Sequence, residues 1–155
     1  MTIDELVQHM GPELFVPDMK ARDKESALRE LTDAVVAGSD LKDAATILEM
    51  LRNREQLGST ALEKGVGFPH GRSLAVRRLT ILFGRSRKGV DFRSEDGKPT
   101  HIFFLILAPP QDTGNLYLQA LGKIAELVRQ DKVCDALMKV DSFDELITLL
   151  RESGS

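Results

Sequence analysis

The residues equipped for chemistry are concentrated in one stretch, Gly65-Val66-Gly67-Phe68-Pro69-His70-Gly71-Arg72, which sets a single imidazole between a proline and a glycine. Proline fixes its own φ and holds the preceding residue extended, so the spacing predicts a brief strand over Val66–Phe68 that stops abruptly at His70. Gly71 has no side chain and leaves room for something bulky beside the ring. An imidazole at a strand end stands where ligands commonly meet sheets of this kind. The arginine two residues on points to anionic cargo, because a guanidinium presents a rigid fork of donors matched to phosphate or carboxylate oxygens.

The rest of the chain narrows what such a histidine can do. Metal ligation needs partners, and His9, His101 and Cys134 show no ligand spacing with His70, so no metal is expected. A serine nucleophile needs a G-x-S-x-G elbow, which is absent; Ser59 is nearby in sequence, but no acidic triad member is identifiable. The stretch "GSTALEKG" has the glycines of a phosphate loop without its lysine-serine/threonine ending. Two readings stay open on these residues alone. His70 is either a turn histidine satisfied by backbone, or its ring nitrogen is itself a nucleophile that accepts a group. A neutral imidazole, with a pKa near ~6.5, is largely unprotonated at cytoplasmic pH and can attack phosphorus directly.

The elements that must position it follow from pattern. A length of 155 residues with no linker composition fits one domain, 1–155, long enough to bury a core without disulfides or metal. A net charge of −3 argues against a nucleic-acid binder. The lone Cys134 gives no sign of an oxidising compartment and reads as a buried small apolar residue. The N-terminus lacks a leader pattern and no apolar run reaches ~18 residues, so a cytoplasmic domain without membrane insertion is expected.

Thr2 with Glu5 has capping-box spacing for a short helix, and "ELFVPDM" reads as an edge strand because Pro17 cannot donate to a central ladder. Ala27, Leu28, Leu31, Ala34 and Val35 predict a helix from Asp23 to Gly38; Ala44, Ile47, Leu48 and Leu51 predict another from about Lys42 to Gly58. "RLTILFGR" alternates as a strand, "SEDGKPT" carries an Asp-Gly turn, and "HIFFLILA" is apolar on both faces, as a central strand covered by helices must be. After Pro109-Pro110, a third long helix presents Leu118, Leu121, Ile124, Ala125, Leu127 and Val128 inward. A shorter helical piece holds Cys134, and a last helix opens at Ser142 with Glu145 at the reciprocal capping position. The sum is an α/β or α+β domain, a small mixed sheet between helices.

Three stretches, "LRNREQLGSTALEKGVGFPHGR", "GVDFRSEDGKPTHIFFLILAPP" and "LQALGKIAELVRQDKVCDALMKVDSFDELITLL", together resemble the fructose/mannitol-type IIA domain of the bacterial phosphoenolpyruvate-dependent phosphotransferase system. That family includes the nitrogen-regulatory IIA proteins. The similarity runs over nearly the whole chain, and its most specific part is R-E-x-L-G-S-T followed by G-V-G-F-P-H-G-R. The resemblance implies a phosphotransferase component in which His70 takes a phosphoryl group from a histidine of the carrier HPr or its nitrogen-branch relative. In sugar-transporting relatives the group then passes to a IIB cysteine. Arg54 matches the family arginine beside the active histidine, suited to the charge spread over the equatorial oxygens in phosphoryl transfer. Gly58, Ser59 and Thr60 would wall the pocket with Gly71, with Thr60 holding a phosphoryl oxygen or the other ring nitrogen. The resemblance implies no cofactor or metal.

Two departures stand out. The family usually carries a second histidine opening the helix after the apolar strand; alignment on Leu118 and Leu121 puts Tyr117 there, with Asn115 the other candidate. Either can donate a hydrogen bond to phosphate, but neither carries the charge of an imidazolium, which implies slower transfer or a different partner. His101 falls at the start of the apolar strand and reads as a strand-end surface residue. The basic run Arg77, Arg78, Arg85, Arg87 and Lys88 reads as a solvated face, the functional alternative being a docking rim for an acidic partner. A chain without fused IIB or membrane segments favours a regulatory member over a transport component. The rival from another class is a IIA-like binding module that works without being phosphorylated.

Overall fold

Every residue from Ile102 to Ala108 is apolar, and such a segment is stable only with both faces covered. The structure, a computed structural model, describes residues 1–154 and puts that segment at the centre of a mixed sheet. The strands are β1 (Phe15–Val16), β2 (Val66–Gly67), β3 (His70–Arg72), β4 (Thr80–Val90) and β5 (Thr100–Ala108). β4 and β5 pair antiparallel, β1 joins β4 in parallel at one edge, and β2 and β3 both join β5 in parallel at the other.

Alternate residues of β5 feed two cores. Ile102, Phe104, Ile106 and Ala108 pack with α1 (Ile3–Val7), α4 (Leu116–Val128), α5 (Asp131–Leu137) and α6 (Phe143–Ser153). Phe103, Leu105 and Leu107 pack with α2 (Lys24–Ala37) and α3 (Ala44–Gln56). Phe103, Leu105, Ile106 and Leu107 are fully shielded from solvent, each contributing about 1.5–3 kcal/mol of transfer free energy. The helix-covered mixed sheet expected from the pattern is therefore present.

Local rules set the helix starts. Thr2, Asp23, Asp43 and Ser142 each accept a backbone N–H three residues on, at 3.1, 2.8, 3.1 and 3.1 Å, and such caps contribute about 1 kcal/mol apiece. In α4 the inward residues are Tyr117, Ala120, Ile124, Leu127 and Val128. Leu118, expected inward, is instead 55% exposed. The apolar stripe is turned by one residue because Tyr117, a polar-tipped side chain, takes the sheet-facing position.

β4 runs past the expected Arg85 to Val90, through a register shift against β5 that Gly89 permits with φ +91°. The basic run is thus not a uniform solvated face. Arg85 is fully buried, on the side of β4 that carries Ile81 and Phe83. Its guanidinium donates to the carbonyls of Pro17, Leu137 and Val140, leaving Nη2 without a partner. Arg78 pairs with Asp40, and Arg87 with Asp18 and Asp141. Two buried carbonyls and the half-buried one of Pro17 depend on Arg85, so Arg85→Leu should lower the unfolding free energy by about 2–4 kcal/mol. Urea denaturation measures this, and a loss within the error of the wild type would contradict the role.

Candidate functional site

The strand expected to stop at His70 resumes there. Val66 pairs with Ile102 and His70 with Ile106, both 36 positions apart, so β2 and β3 are one strand in unbroken register with a gap at Phe68–Pro69. Pro69 has no N–H to give the ladder, but its carbonyl still accepts from Ile106 N at 3.0 Å. Phe68 turns outward at the sheet edge, its N–H donating to the Thr60 carbonyl at 3.1 Å. Its carbonyl is left free of the ladder and meets His70 Nδ1 at 2.5 Å.

That contact decides the tautomer. A carbonyl only accepts, so Nδ1 carries the proton and the lone pair of the neutral ring lies on Nε2. Burial pushes the His70 pKa below the usual histidine value, and the Arg54 charge acts in the same direction. The Phe68 hydrogen bond and the Glu55 charge oppose that shift. The balance favours a neutral, nucleophilic imidazole.

Two helices on opposite faces of the sheet converge on this edge. From α3 comes Arg54, whose Nη1 donates to the Gly58 carbonyl at 3.0 Å. From α4 comes Tyr117, whose ring centroid lies 6.0 Å from that of His70. The Arg72 guanidinium stacks over the Tyr117 ring at 4.5 Å and donates to Pro109 O and Asn115 Oδ1 at 3.1 and 3.2 Å. Burial raises the Tyr117 pKa, while the charges of Arg72 and Arg54 lower it. Of the two residues weighed for the second-histidine place, Tyr117 adjoins the imidazole; Asn115 has left-handed φ 56° and touches Arg72.

Other expected pocket residues are engaged elsewhere. A Cβ on Gly71 would lie 1.9 Å from Met50 Sδ, so the room beside the ring is filled by α3. Ser59 Oγ donates to Phe92 O, and Thr60 Oγ1 to Glu55 Oε2. The other ring nitrogen is held by Phe68 rather than Thr60, because a buried carboxylate holds the Thr60 hydroxyl. Gly58, with φ +139°, turns the chain away from α3 and has open space where a Cβ would sit.

Pattern reading missed Glu55, Lys24 and Asp112. Asp112 accepts the Tyr117 N–H at 2.7 Å and lies 3.7 Å from Arg72 Nη1. Glu55 carried a legible signal: it follows Ile47 and Leu51 at intervals of four, which puts a carboxylate on the inward stripe of α3. His101 lies at the far end of β5 from the site, half-buried, with Nδ1 2.9 Å from Ser86 O. Cys134 is also half-buried and donates to Val128 O, and burial raises its thiol pKa. Among the described residues no group of three or more His, Cys, Asp or Glu is placed to hold a metal, and no helix is long and apolar enough to cross a membrane.

The fold is that of a IIA-type domain. The family model described as "Phosphoenolpyruvate-dependent sugar phosphotransferase system, EIIA 2" matches residues 8–153, and the chain belongs to that family. It is 37% identical over 137 residues to a nitrogen regulatory protein of Bradyrhizobium diazoefficiens, covering 88% of this chain and 86% of that one. It is 30% identical over 135 residues to a fructose-specific EIIABC component of Bacillus subtilis, covering 87% of this chain but only 21% of that longer protein. The crystal structure of nitrogen regulatory protein IIA-Ntr from Neisseria meningitidis superposes with a TM-score of 0.86 at 34% identity, covering 94% of this chain and 99% of that one.

A depressed pKa has a readable sign. As pH falls, the unfolded chain takes up the proton first, so the stability linked to His70 is lost between the ordinary histidine value and the lower folded value. NMR titration should place His70 below the ordinary value, and Arg54→Gln should move it upward. A downward move on removing Arg54 would contradict the geometry.

Proposed function

We propose that this chain is a cytoplasmic phosphohistidine carrier, with His70 as the phospho-accepting residue and phosphorylated HPr or its nitrogen-branch relative as donor. In the step, His70 Nε2 attacks the phosphorus of the donor phosphohistidine. The new N–P bond forms as the donor's P–N bond breaks, and the electron pair returns to the donor imidazole. Nδ1 keeps its proton throughout, so the phosphorylated ring is cationic. The Phe68 carbonyl then stabilises that ring, and the Arg54 guanidinium stabilises the phosphoryl oxygens.

The observation that carries this reading is the Nδ1 contact at 2.5 Å, which leaves the Nε2 lone pair free on a ring whose pKa the Arg54 charge helps to depress. Two exposed leucines adjoining site residues in the chain favour a protein partner: Leu57, just after α3, and Leu118, next to Tyr117, at 84 and 55% exposure. Regulation is preferred to sugar transport as the use of the phosphoryl group, with transfer to a IIB cysteine as the transport route. The higher identity, 37% against 30%, is to the nitrogen regulatory relative.

With phosphoenolpyruvate, the general phosphotransferase enzyme and HPr, the wild type should acquire acid-labile phosphate that His70→Ala cannot. Phosphorus NMR should report a phosphoramidate on Nε2. Arg54→Gln should slow uptake by about 10²–10³-fold, the usual loss on removing one donor to a developing oxyanion. A wild type that stays unphosphorylated with active carriers would refute the carrier role and leave a binding module.

A further inference from the structure

We propose that Glu55, held by Lys24, is a positioning residue for the His70 imidazole, acting through Thr60 and the Phe68 peptide; the inference rests on the carrier reading of His70. The contacts form one continuous chain. Lys24 Nζ lies 2.8 Å from Glu55 Oε1, and the Glu55 side chain is only 4% exposed. The same carboxylate accepts the Thr60 N–H at 3.1 Å and the Thr60 hydroxyl. The Thr60 carbonyl accepts the Phe68 N–H at 3.1 Å, and the Phe68 carbonyl accepts from His70 Nδ1.

Each link restricts the next. Lys24 is itself located from two sides, as the first residue of α2 and with its ammonium 4.9 Å above the Phe92 ring. Glu55 takes three donors, which is what a desolvated carboxylate on the apolar stripe of a helix requires. Gly58 lets the chain leave α3, so no helix holds the segment that follows; Arg54 holds the Gly58 carbonyl, Ser59 holds Phe92 O, and Glu55 anchors Thr60. An anchored Thr60 fixes the N–H of Phe68, while Pro69 restricts the rotation that follows it. With both sides of Phe68 held, its carbonyl has one direction, and that direction selects the proton on Nδ1 over Nε2. Glu55 is buried and makes no hydrogen bond to His70, so apart from its charge it acts on the ring through these groups.

The test uses the whole chain. Glu55→Ala, Thr60→Val, Lys24→Met and Glu55→Gln are compared with Arg85→Leu, a variant weakened far from the site. With ¹⁵N-labelled histidine, the wild type should show the Nδ1–H tautomer. Glu55→Ala and Thr60→Val should show a mixture, with Phe68 amide exchange faster by about tenfold or more. Phosphoryl uptake in both should fall by about tenfold or more, since a small misplacement of a reacting group has that effect. Lys24→Met should lie between. Glu55→Gln, whose carbonyl can still accept the Thr60 N–H while its amide donates to the Thr60 hydroxyl oxygen, should recover most of the wild-type tautomer, and Arg85→Leu should leave it unchanged. Wild-type histidine shifts and Phe68 exchange in folded Glu55→Ala or Thr60→Val would overturn the proposal; if Glu55→Ala does not fold, Thr60→Val alone decides. The shifts and exchange rates need no phosphoryl donor, so they judge the relay even if the carrier reading fails.

Discussion

The chemistry proposed for this protein rests on one hydrogen bond: the 2.5 Å contact between His70 Nδ1 and the carbonyl of Phe68. A histidine is ambiguous until one nitrogen is committed, and commitment to a backbone acceptor leaves the other nitrogen as base or nucleophile. The acceptor is free because β5 bonds to the carbonyls of Gly65 and Pro69, on either side of the Phe68 position, while the backbone groups of Phe68 face away from it. Proline does double duty, removing a donor from the ladder and restricting the backbone of the residue that supplies the acceptor.

The surrounding architecture serves that edge. β5 holds the two helical layers apart and gives β3 its register. α3, below one face, contributes Arg54 and fills the space at Gly71 with Met50. α4, on the other face, contributes Tyr117, clasped by Arg72. The His70 ring therefore sits where both layers end and solvent begins, partly exposed and partly desolvated.

Much of this was legible in the residues. The apolar run of β5, the caps at Thr2 and Ser142 and the Asp-Gly turn are local signals, and local signals survive folding. What was not legible depends on contacts between distant segments. Arg85 looked like one more surface cation because nothing nearby in sequence announces the carbonyls of Leu137 and Val140. The glycine after the histidine looked like space for a ligand because Met50 is some twenty positions earlier in the chain. Leu118 looked inward because leucine outranks tyrosine on any hydrophobicity scale, while helix phase gave the inward place to Tyr117. The break in the edge strand was visible at Pro69, but its unbroken register is a property of the pairing with β5.

That unbroken register has an evolutionary corollary. Side chains on a strand alternate between faces, so a single-residue deletion or insertion between Gly65 and Pro69 would carry the imidazole from the α4 side of the sheet to the α3 side, onto the sulfur of Met50. Pro69 and Gly65 constrain this segment by residue type, and the register constrains it independently by length.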